Sequence, residues 1–372
     1  MPMKELRRKY VMQTDLDLHA HRPSLRGGAL ALIAAALFGI STPLVQFFGR
    51  GVGSFTTAAL LYAGAAVIGA LLTRHVDREA RVMRGDGARL ALVALFGAVI
   101  GPVALAWGLQ HTSGMGASLM LTLEALFTVL LARILYRETM DVRVWIAVFL
   151  LLIGALFLVF DQMPSPSSFE GGAPLLGLLA VIVATAAWGI DNTVSRALAE
   201  RDPGQVVMIK ATLGAAATAL LGYIFGESFP PWAAVFGLLA VGATGYGLSL
   251  RFYLLAQRSF GAGRTGSVFA FAPFIGALFA MALGDRSASV GMAVGGCLML
   301  AGVALHLMES HGHEHTHELL AHEHAHRHDD DHHDHRHDDM QAANGTHSHW
   351  HQHQPTRHTH GHAPDVHHGH TH

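Results

Sequence analysis

Apolar residues come in long blocks along this chain. Ten runs, at 27–48, 53–72, 88–109, 113–135, 143–160, 174–197, 205–226, 232–255, 264–284 and 288–308, carry few charges. A bilayer core needs about 20 mostly apolar residues per helix, so each run predicts a transmembrane helix. Short polar joints separate the runs. After the last one the pattern stops, and residues 309–372 hold almost no large apolar side chains. The reading is an all-α polytopic membrane protein of ten transmembrane helices with a polar tail. Its parts are an N-terminal segment (1–26), a first five-helix unit (27–160), a linker (161–173), a second five-helix unit (174–308) and the tail (309–372).

Composition agrees. Only 14% of the 372 residues are charged, against roughly 25% in soluble domains. A net charge of -2 leaves no global basic field, so nucleic acid is excluded as a partner. The single cysteine, Cys297, rules out an intrachain disulfide or a Cys-rich metal site, and is expected as a small buried hydrophobe. The chain has 41 glycines. Small residues let helices approach closely in lipid, and Gly64-Ala65-Ala66, Gly154-Ala155 and Gly295-Gly296 suit that packing. No nucleophile–base pair, compact metal triad or phosphate loop appears in the spans, so an enzyme is not expected.

Lysine and arginine set the orientation. With the N-terminus inside, 23 of the 25 basic residues fall on the cytoplasmic side and only Arg50 and Arg286 outside. Both termini are therefore expected in the cytoplasm, with the chain in the inner (plasma) membrane.

The two five-span units repeat each other at an offset of about 147 to 150 residues. Ala36-Leu37-Phe38-Gly39-Ile40 parallels Ala186-Ala187-Trp188-Gly189-Ile190. Gln110, Gly114 and Gly116 parallel Gln257, Gly261 and Gly263, and Glu138 parallels Asp285. Five is odd, so the second unit is predicted upside down relative to the first. Inverted repeats are a transporter architecture, with the solute site near the midplane between the halves.

These residues resemble a known family. The aromatic-glycine pair in spans 1 and 6, the stretch Ala104 to Gly114 leading into span 4, and Leu123-Glu124-Ala125-Leu126-Phe127 followed by Glu138 are similar to the EamA-type drug/metabolite transporters. Phe271-Ala272-Pro273-Phe274, leading to Gly284-Asp285, is a weaker echo in the second half. The chain departs from the family pattern at Ala125, where proline is usual, and at Asp285, where glutamate is usual. The resemblance covers about 27–308. It implies a ten-helix inner-membrane carrier of small metabolites, commonly driven by proton exchange.

An ionisable group at mid-bilayer costs roughly 2.5–3.5 kcal/mol to insert, so it normally faces a cavity or a partner. Glu124 lies near the centre of span 4. A carboxyl that takes up and gives back a proton there would couple solute release to proton entry. Asp191 and Asn192 follow Trp188-Gly189 in span 6; Asp191 either pairs with Lys210 of span 7 or contacts solute. Trp188 is placed to stack on a solute, and Trp107 belongs to the interfacial belt. Ser41-Thr42-Pro43 predicts a break in span 1, with Gln46 beyond it, and Pro273 a comparable break in span 9. The candidate solute-pathway or proton-coupling residues are Glu124, Asp191, Asn192, Trp188, Thr42, Gln46 and Pro273. Glu138 and Asp285 stand at opposite ends as gate or capping residues, or as surface ion pairs.

The tail holds 23 of the 28 histidines and carries a net charge of -8 with histidine neutral. Its composition predicts disorder. Its first clusters are His311, His313, His315 and His317, then His322, His324, His326 and His328, then His332, His333, His335 and His337. Dense His-x-His spacing lets several imidazoles wrap one ion of Zn, Ni or Co, and interleaved acids ligate or orient the rings. No resident cofactor is required. The expected function is a secondary transporter of a small organic solute, coupled to protons, with a metal-binding regulatory tail. The alternative is an exporter of a transition metal or metal chelate that the tail loads or senses. The expected partners are a small-molecule solute, the lipid bilayer, protons and transition-metal ions, with a homodimer left open.

Overall fold

The computed structural model describes residues 27–72, 82–136, 142–161, 173–195, 198, 201–260, 262–307, 311–316, 320–326, 347–353 and 357–362. The apolar runs form α1 (Gly27–Phe48), α2 (Ser54–Leu72) and α3 (Gly87–His111). The fourth run is split into α4 (Gly114–Met120) and α5 (Leu123–Tyr136), and α6 (Val142–Asp161) closes the first unit. The second unit comprises α7 (Ala173–Ser195), α8 (Pro203–Ile224), α9 (Trp232–Gln257), the split pair α10 (Ala262–Phe269) and α11 (Ala272–Ala282), and α12 (Val290–Leu307). Large side chains such as Leu32, Phe149, Val183 and Phe236 point out of the bundle. An apolar exterior of this kind suits a lipid solvent.

Among the described residues, eight helices are long and apolar enough to span a membrane. Two shorter apolar helices, Ala272–Ala282 and Val290–Leu305, fill the last two positions. The ten-span count is thus not met by length. The reason is local: the ninth run is interrupted before Pro273, and the last apolar helix is short.

The interruptions fall at equivalent places. α4 and α5 part at Leu121-Thr122, and α10 and α11 at Ala270-Phe271, an offset of 149 residues. The first break occurs without proline. Thr122 N–H bonds to Leu119 O at 3.1 Å and Glu124 N–H to Leu121 O at 3.0 Å, a tightened three-residue pattern. The Thr122 hydroxyl donates to Leu119 O at 2.6 Å and to Met299 Sδ at 3.2 Å, fixing the turn. α3 and α9 each contain a π-helical turn, Leu95–Ile100 and Gly242–Leu248, offset by 147 residues. Span 1 behaves differently from expectation: α1 runs unbroken through Pro43. The Ser41 hydroxyl donates to Phe38 O at 2.6 Å and supplies local hydrogen bonding beside the missing N–H.

Packing brings counterparts together. α2 lies on α8 and α6 on α12, and the half-helix α4 packs on α11, the half-helix beyond the other break. α3 packs on α7, while the equivalent α1 meets α9, where the Ser249 hydroxyl donates to Ala34 O at 2.8 Å. Glycine permits the closest crossings. A Cβ on Gly154 would sit 2.7 Å from Gly295 O, and one on Gly295 would sit 2.8 Å from Gly154 O. Cys297 is exposed rather than buried. The buried stripe of α12 runs through Met292, Gly295, Met299 and Val303, and Cys297 stands about 200° around the helix from Gly295.

The tail contains four strands, β1 (His311–Thr316), β2 (Leu320–His326), β3 (His347–His353) and β4 (Arg357–His362). β1 pairs antiparallel with β4, and β2 with β3. Low apolar content predicts disorder for this region. These four segments are extended instead, and their strict alternation matches the period of a strand. His317, His328, His332, His333, His335 and His337 lie outside the described residues, as does Glu138.

Candidate functional site

The interior of the bundle holds a cavity of about 80 Å³ where α1, α2, α5, α7, α8, α9 and α10 meet. Glu124, Asn192, Asp191, Lys210 and Trp188 line it, together with Phe38, Tyr62, Tyr246, Tyr253 and Phe269. Glu124 enters because the break at Leu121-Thr122 starts α5 there, placing the carboxylate in the first turn of a half-helix. The positive end of a helix dipole favours a negative group at that position. Asn192 Nδ2 donates to Glu124 Oε1 at 2.6 Å, joining α7 to α5.

Asp191, one residue earlier, turns to another partner. Its Oδ2 accepts from Lys210 Nζ in an ion pair whose members are 5% and 6% exposed. The Ser195 hydroxyl donates to Oδ1 at 3.2 Å. A Cβ on Gly97, in the π turn of α3, would collide with both members of the pair. The same residue's carbonyl accepts from the Tyr62 hydroxyl and from Trp188 Nε1, the latter at 3.0 Å. A π turn turns carbonyls away from the helix ladder, and here one of them orders two aromatic rings. Gly97 therefore makes room for the charges and positions the aromatic wall.

The wall is continuous. Phe38 meets Trp188 edge-on at 5.9 Å, Tyr246 at 6.0 Å and Phe269 at 5.4 Å. Tyr62 meets Tyr246 at 5.5 Å, and Tyr253 meets Phe269 at 4.9 Å. The repeated aromatic-glycine pair has one geometry in both units. Phe38 and Trp188 face the cavity. Gly39 lies against the backbone of Ala272 at the start of α11, and Gly189 against Phe127 and Thr128 on α5. In each unit the aromatic faces the cavity while the glycine receives a broken helix of the other unit. The Tyr246 hydroxyl is buried on the cavity wall, with the Ser41 hydroxyl as its neighbour.

The structure thus brings Glu124, Asn192, Asp191 and Trp188 together and leaves the other three candidates elsewhere. Thr42 is buried within α1 away from the cavity wall. Gln46 is further along α1, where its Nε2 donates to Leu109 O at 3.0 Å and Thr112 O at 2.9 Å. Pro273 sits in the first turn of α11 and is buried against neighbouring helices. Tyr62, Tyr246 and Tyr253 on the cavity wall, and Gly97 packed behind its ion pair, are residues that sequence reasoning missed. The three tyrosines carried a signal, since they are half of the six in the chain and fall inside apolar runs. Gly97 carried none. Trp107 stacks on His111 at 4.0 Å near the end of α3.

A larger cavity, about 320 Å³, lies at the turn joining α1 to α2. It contains no acid among its lining residues. The paired and unpaired charges converge on the smaller cavity, which is therefore the candidate site for coupled chemistry. Asp285, at the end of α11, caps the neighbouring half-helix α4 by accepting Met115 N–H at 2.9 Å. Among the described residues no three His, Cys, Asp or Glu side chains are grouped to hold a metal ion.

A bundle of apolar helices with a buried charged cavity between two similar units defines a polytopic membrane protein of the transporter class. The chain belongs to the EamA-like transporter family, whose model matches twice, at residues 25–160 and 175–308. It is 28% identical over 292 residues to an uncharacterized transporter of Methanothermobacter thermautotrophicus, covering 74% of this chain and 84% of that one. A solved crystal structure with 19% identity superposes with a TM-score of 0.55, covers 77% of this chain and 98% of its own, and shares the fold.

Proposed function

We propose that this member of the family is a secondary carrier of a small organic solute, driven by proton exchange at Glu124. The observation that carries this reading is the division of labour between the two buried acids. Asp191 is neutralised by Lys210. Among the described residues Glu124 accepts a hydrogen bond from the Asn192 amide and forms no ion pair, so a proton or a solute group can compete for it. The aromatic wall supplies apolar contact, and the Tyr246 hydroxyl and the Asn192 amide are polar groups on it, the usual makeup of a small-molecule site.

Alternating access is the proposed cycle. Five elements in each unit, breaks offset by 149 residues, and packing of counterparts on one another support an inverted two-fold relation between the units. Half-helices that start at the midplane are where such carriers bind and switch. The orientation that keeps most Lys and Arg inside puts both termini in the cytoplasm of a cell bounded by the inner membrane. The tail is proposed to bind Zn, Ni or Co as a regulatory device. The register supports this by setting His313 opposite His360 and His324 opposite His349, with a histidine pair at every second step. Metal as cargo has weaker support, because the central cavity is walled by aromatic rings and hydroxyls rather than by soft ligands.

The test is Glu124→Gln in proteoliposomes, with solute-induced currents recorded over a panel of amines, amino acids and carboxylates. Loss of the proton-coupled current, with folded protein retained, is expected. Undiminished coupled current in the variant would remove Glu124 as the coupling group.

A further inference from the structure

The larger cavity, at the turn between α1 and α2, has no assigned role. It lies on the same face of α1 as the central cavity. Phe38 lines the inner space, and Gln46 and Gly49 line this one, about 12 to 16 Å further along the chain at 1.5 Å per residue.

The polar groups here are unequally engaged. Gln46 Nε2 donates to Leu109 O and Thr112 O, and Gln110 Nε2 donates to Val52 O at 2.8 Å. Both amides brace the chain. The Thr57 hydroxyl is buried with no hydrogen-bond partner among the described residues, and so is the Thr112 hydroxyl. Thr57 as a whole is 1% exposed. Leaving a buried hydroxyl without a partner is unfavourable, so two on one cavity wall call for an occupant. Arg50 is exposed on the same wall and makes no ion pair with any described residue. Two described carboxylates outside the cavity are engaged elsewhere. Glu227 accepts Phe55 N–H at 3.1 Å and Thr56 N–H at 2.7 Å at the start of α2, and Asp285 caps α4. Among the described residues the cavity wall thus carries two unpartnered hydroxyls and the Arg50 guanidinium with no acid beside it.

We propose that this cavity is a second binding site, for a carboxylate-bearing small molecule held by Arg50 and the Thr57 and Thr112 hydroxyls. A guanidinium presents paired donors that match a carboxylate, and the two hydroxyls supply the remaining bonds from below. Any place of the site in transport rests on the carrier reading. Binding to it does not.

The test is equilibrium binding to the full chain in lipid nanodiscs, with benzoate as probe and the isosteric neutral benzamide as control. Acetate and succinate extend the series. Saturable binding of carboxylates is expected, with benzamide at least about tenfold weaker, the size of one charge-assisted hydrogen bond. Arg50→Gln should weaken benzoate about tenfold and leave benzamide unchanged. Thr57→Val should weaken benzoate several-fold, and Thr57→Ser should restore it, which separates a binding role from a packing role. Three results overturn the proposal: no saturable binding by any of the carboxylates, equal binding of benzoate and benzamide, or unchanged affinity in Arg50→Gln. Glu124→Gln should bind normally; binding lost there and kept in Arg50→Gln would place the anion in the central cavity. Normal binding alongside undiminished coupled current in Glu124→Gln would sink the coupling mechanism and leave this site standing.

Discussion

Removing one member of the Asp191–Lys210 pair should harm the bundle more than removing both. The pair is 5% and 6% exposed and lies against Gly97. Asp191→Asn leaves an ammonium buried in the bundle without its counter-ion. Breaking a buried pair in this way costs about 3–5 kcal/mol. The Ser195 hydroxyl keeps an acceptor in the amide oxygen, so its bond adds little. In Asp191→Asn with Lys210→Met, neither side chain is charged and the shapes are nearly kept. Such neutral replacements of buried pairs are often tolerated, so the double variant should lose less than about 2 kcal/mol. The cycle therefore predicts a coupling of at least about 2 kcal/mol between the two positions. The assay is thermal unfolding in detergent, followed by fluorescence-detected size exclusion. Asp191→Asn should unfold roughly 5–10 °C below the parent, and the double variant should recover most of that. An Asp191→Asn protein that unfolds with the parent would refute the reasoning, because the lysine would then have found water or another partner. Strictly additive losses in the double variant would refute it as well, since the pair would not be acting as a pair.

Other consequences are quicker to check. Asp285 lies in the turn after α11; partial burial pushes its carboxyl up, but hydrogen bonds from Ser287 and from the Met115 and Gly114 N–H groups outweigh this and hold it below the usual range. A carboxyl with a depressed folded value stabilises at pH above its unfolded value of about 4 and loses that contribution as pH falls through the folded value. Asp285→Asn should therefore flatten the acid side of a melting-temperature profile and lower the melting temperature at neutral pH; an unchanged acid limb would count against the cap. Gly39→Ala and Gly189→Ala force a Cβ into Ala272 and Phe127 respectively, and each should cost about 1–3 kcal/mol of thermal stability by overpacking, with a parent-like melt as the contrary result. A chain ending at Met308 should lose retention on immobilised nickel while keeping its solute-induced currents; currents that vanish with the tail would make it part of the transport machinery.

The fold was legible because a bilayer demands a crude signal, about 20 apolar residues in a row, and the sequence carries it plainly. The repeat was legible from Phe38-Gly39 and Trp188-Gly189, from Gln110 and Gln257, and from the offset itself. The site was half legible. Glu124, Asp191 and Asn192 stand out because charge and amide groups are rare at that depth, and the structure places all three on one cavity. The choice of Thr42, Gln46 and Pro273 failed to converge with them for a physical reason. They were expected as marks of broken helices, but α1 runs unbroken through Pro43 and Pro273 is buried against its neighbours. At an offset of 150, the counterparts of Asp191 and Asn192 are Ser41 and Thr42, and at 149 that of Glu124 is Pro273. The scaffold has kept the repeat while the charges have not: each acid survives in one copy only. Residue depth also resists reading, since Gln46 and Phe38 share a face of α1 yet serve different cavities.

Gly97 shows the limit most sharply. Nothing in a glycine at position 97 announces that its missing Cβ admits an ion pair or that its carbonyl holds Tyr62 and Trp188. Those roles depend on a π turn, and the turn recurs 147 residues later at Gly242–Leu248 beside Tyr246. The same is true of the break at Leu121-Thr122, which lacks the proline that marks its partner before Pro273. The aromatic-glycine pairs tie these devices together. Each pair seats one unit's cavity ring beside the other unit's broken helix, so a movement of either break shifts the wall around Glu124. A change in the protonation of Glu124 acts on the first turn of α5, the same element that Gly189 holds. The proposed coupling between proton and solute would need no long pathway, because the acid, the broken helix and the aromatic wall meet at one cavity.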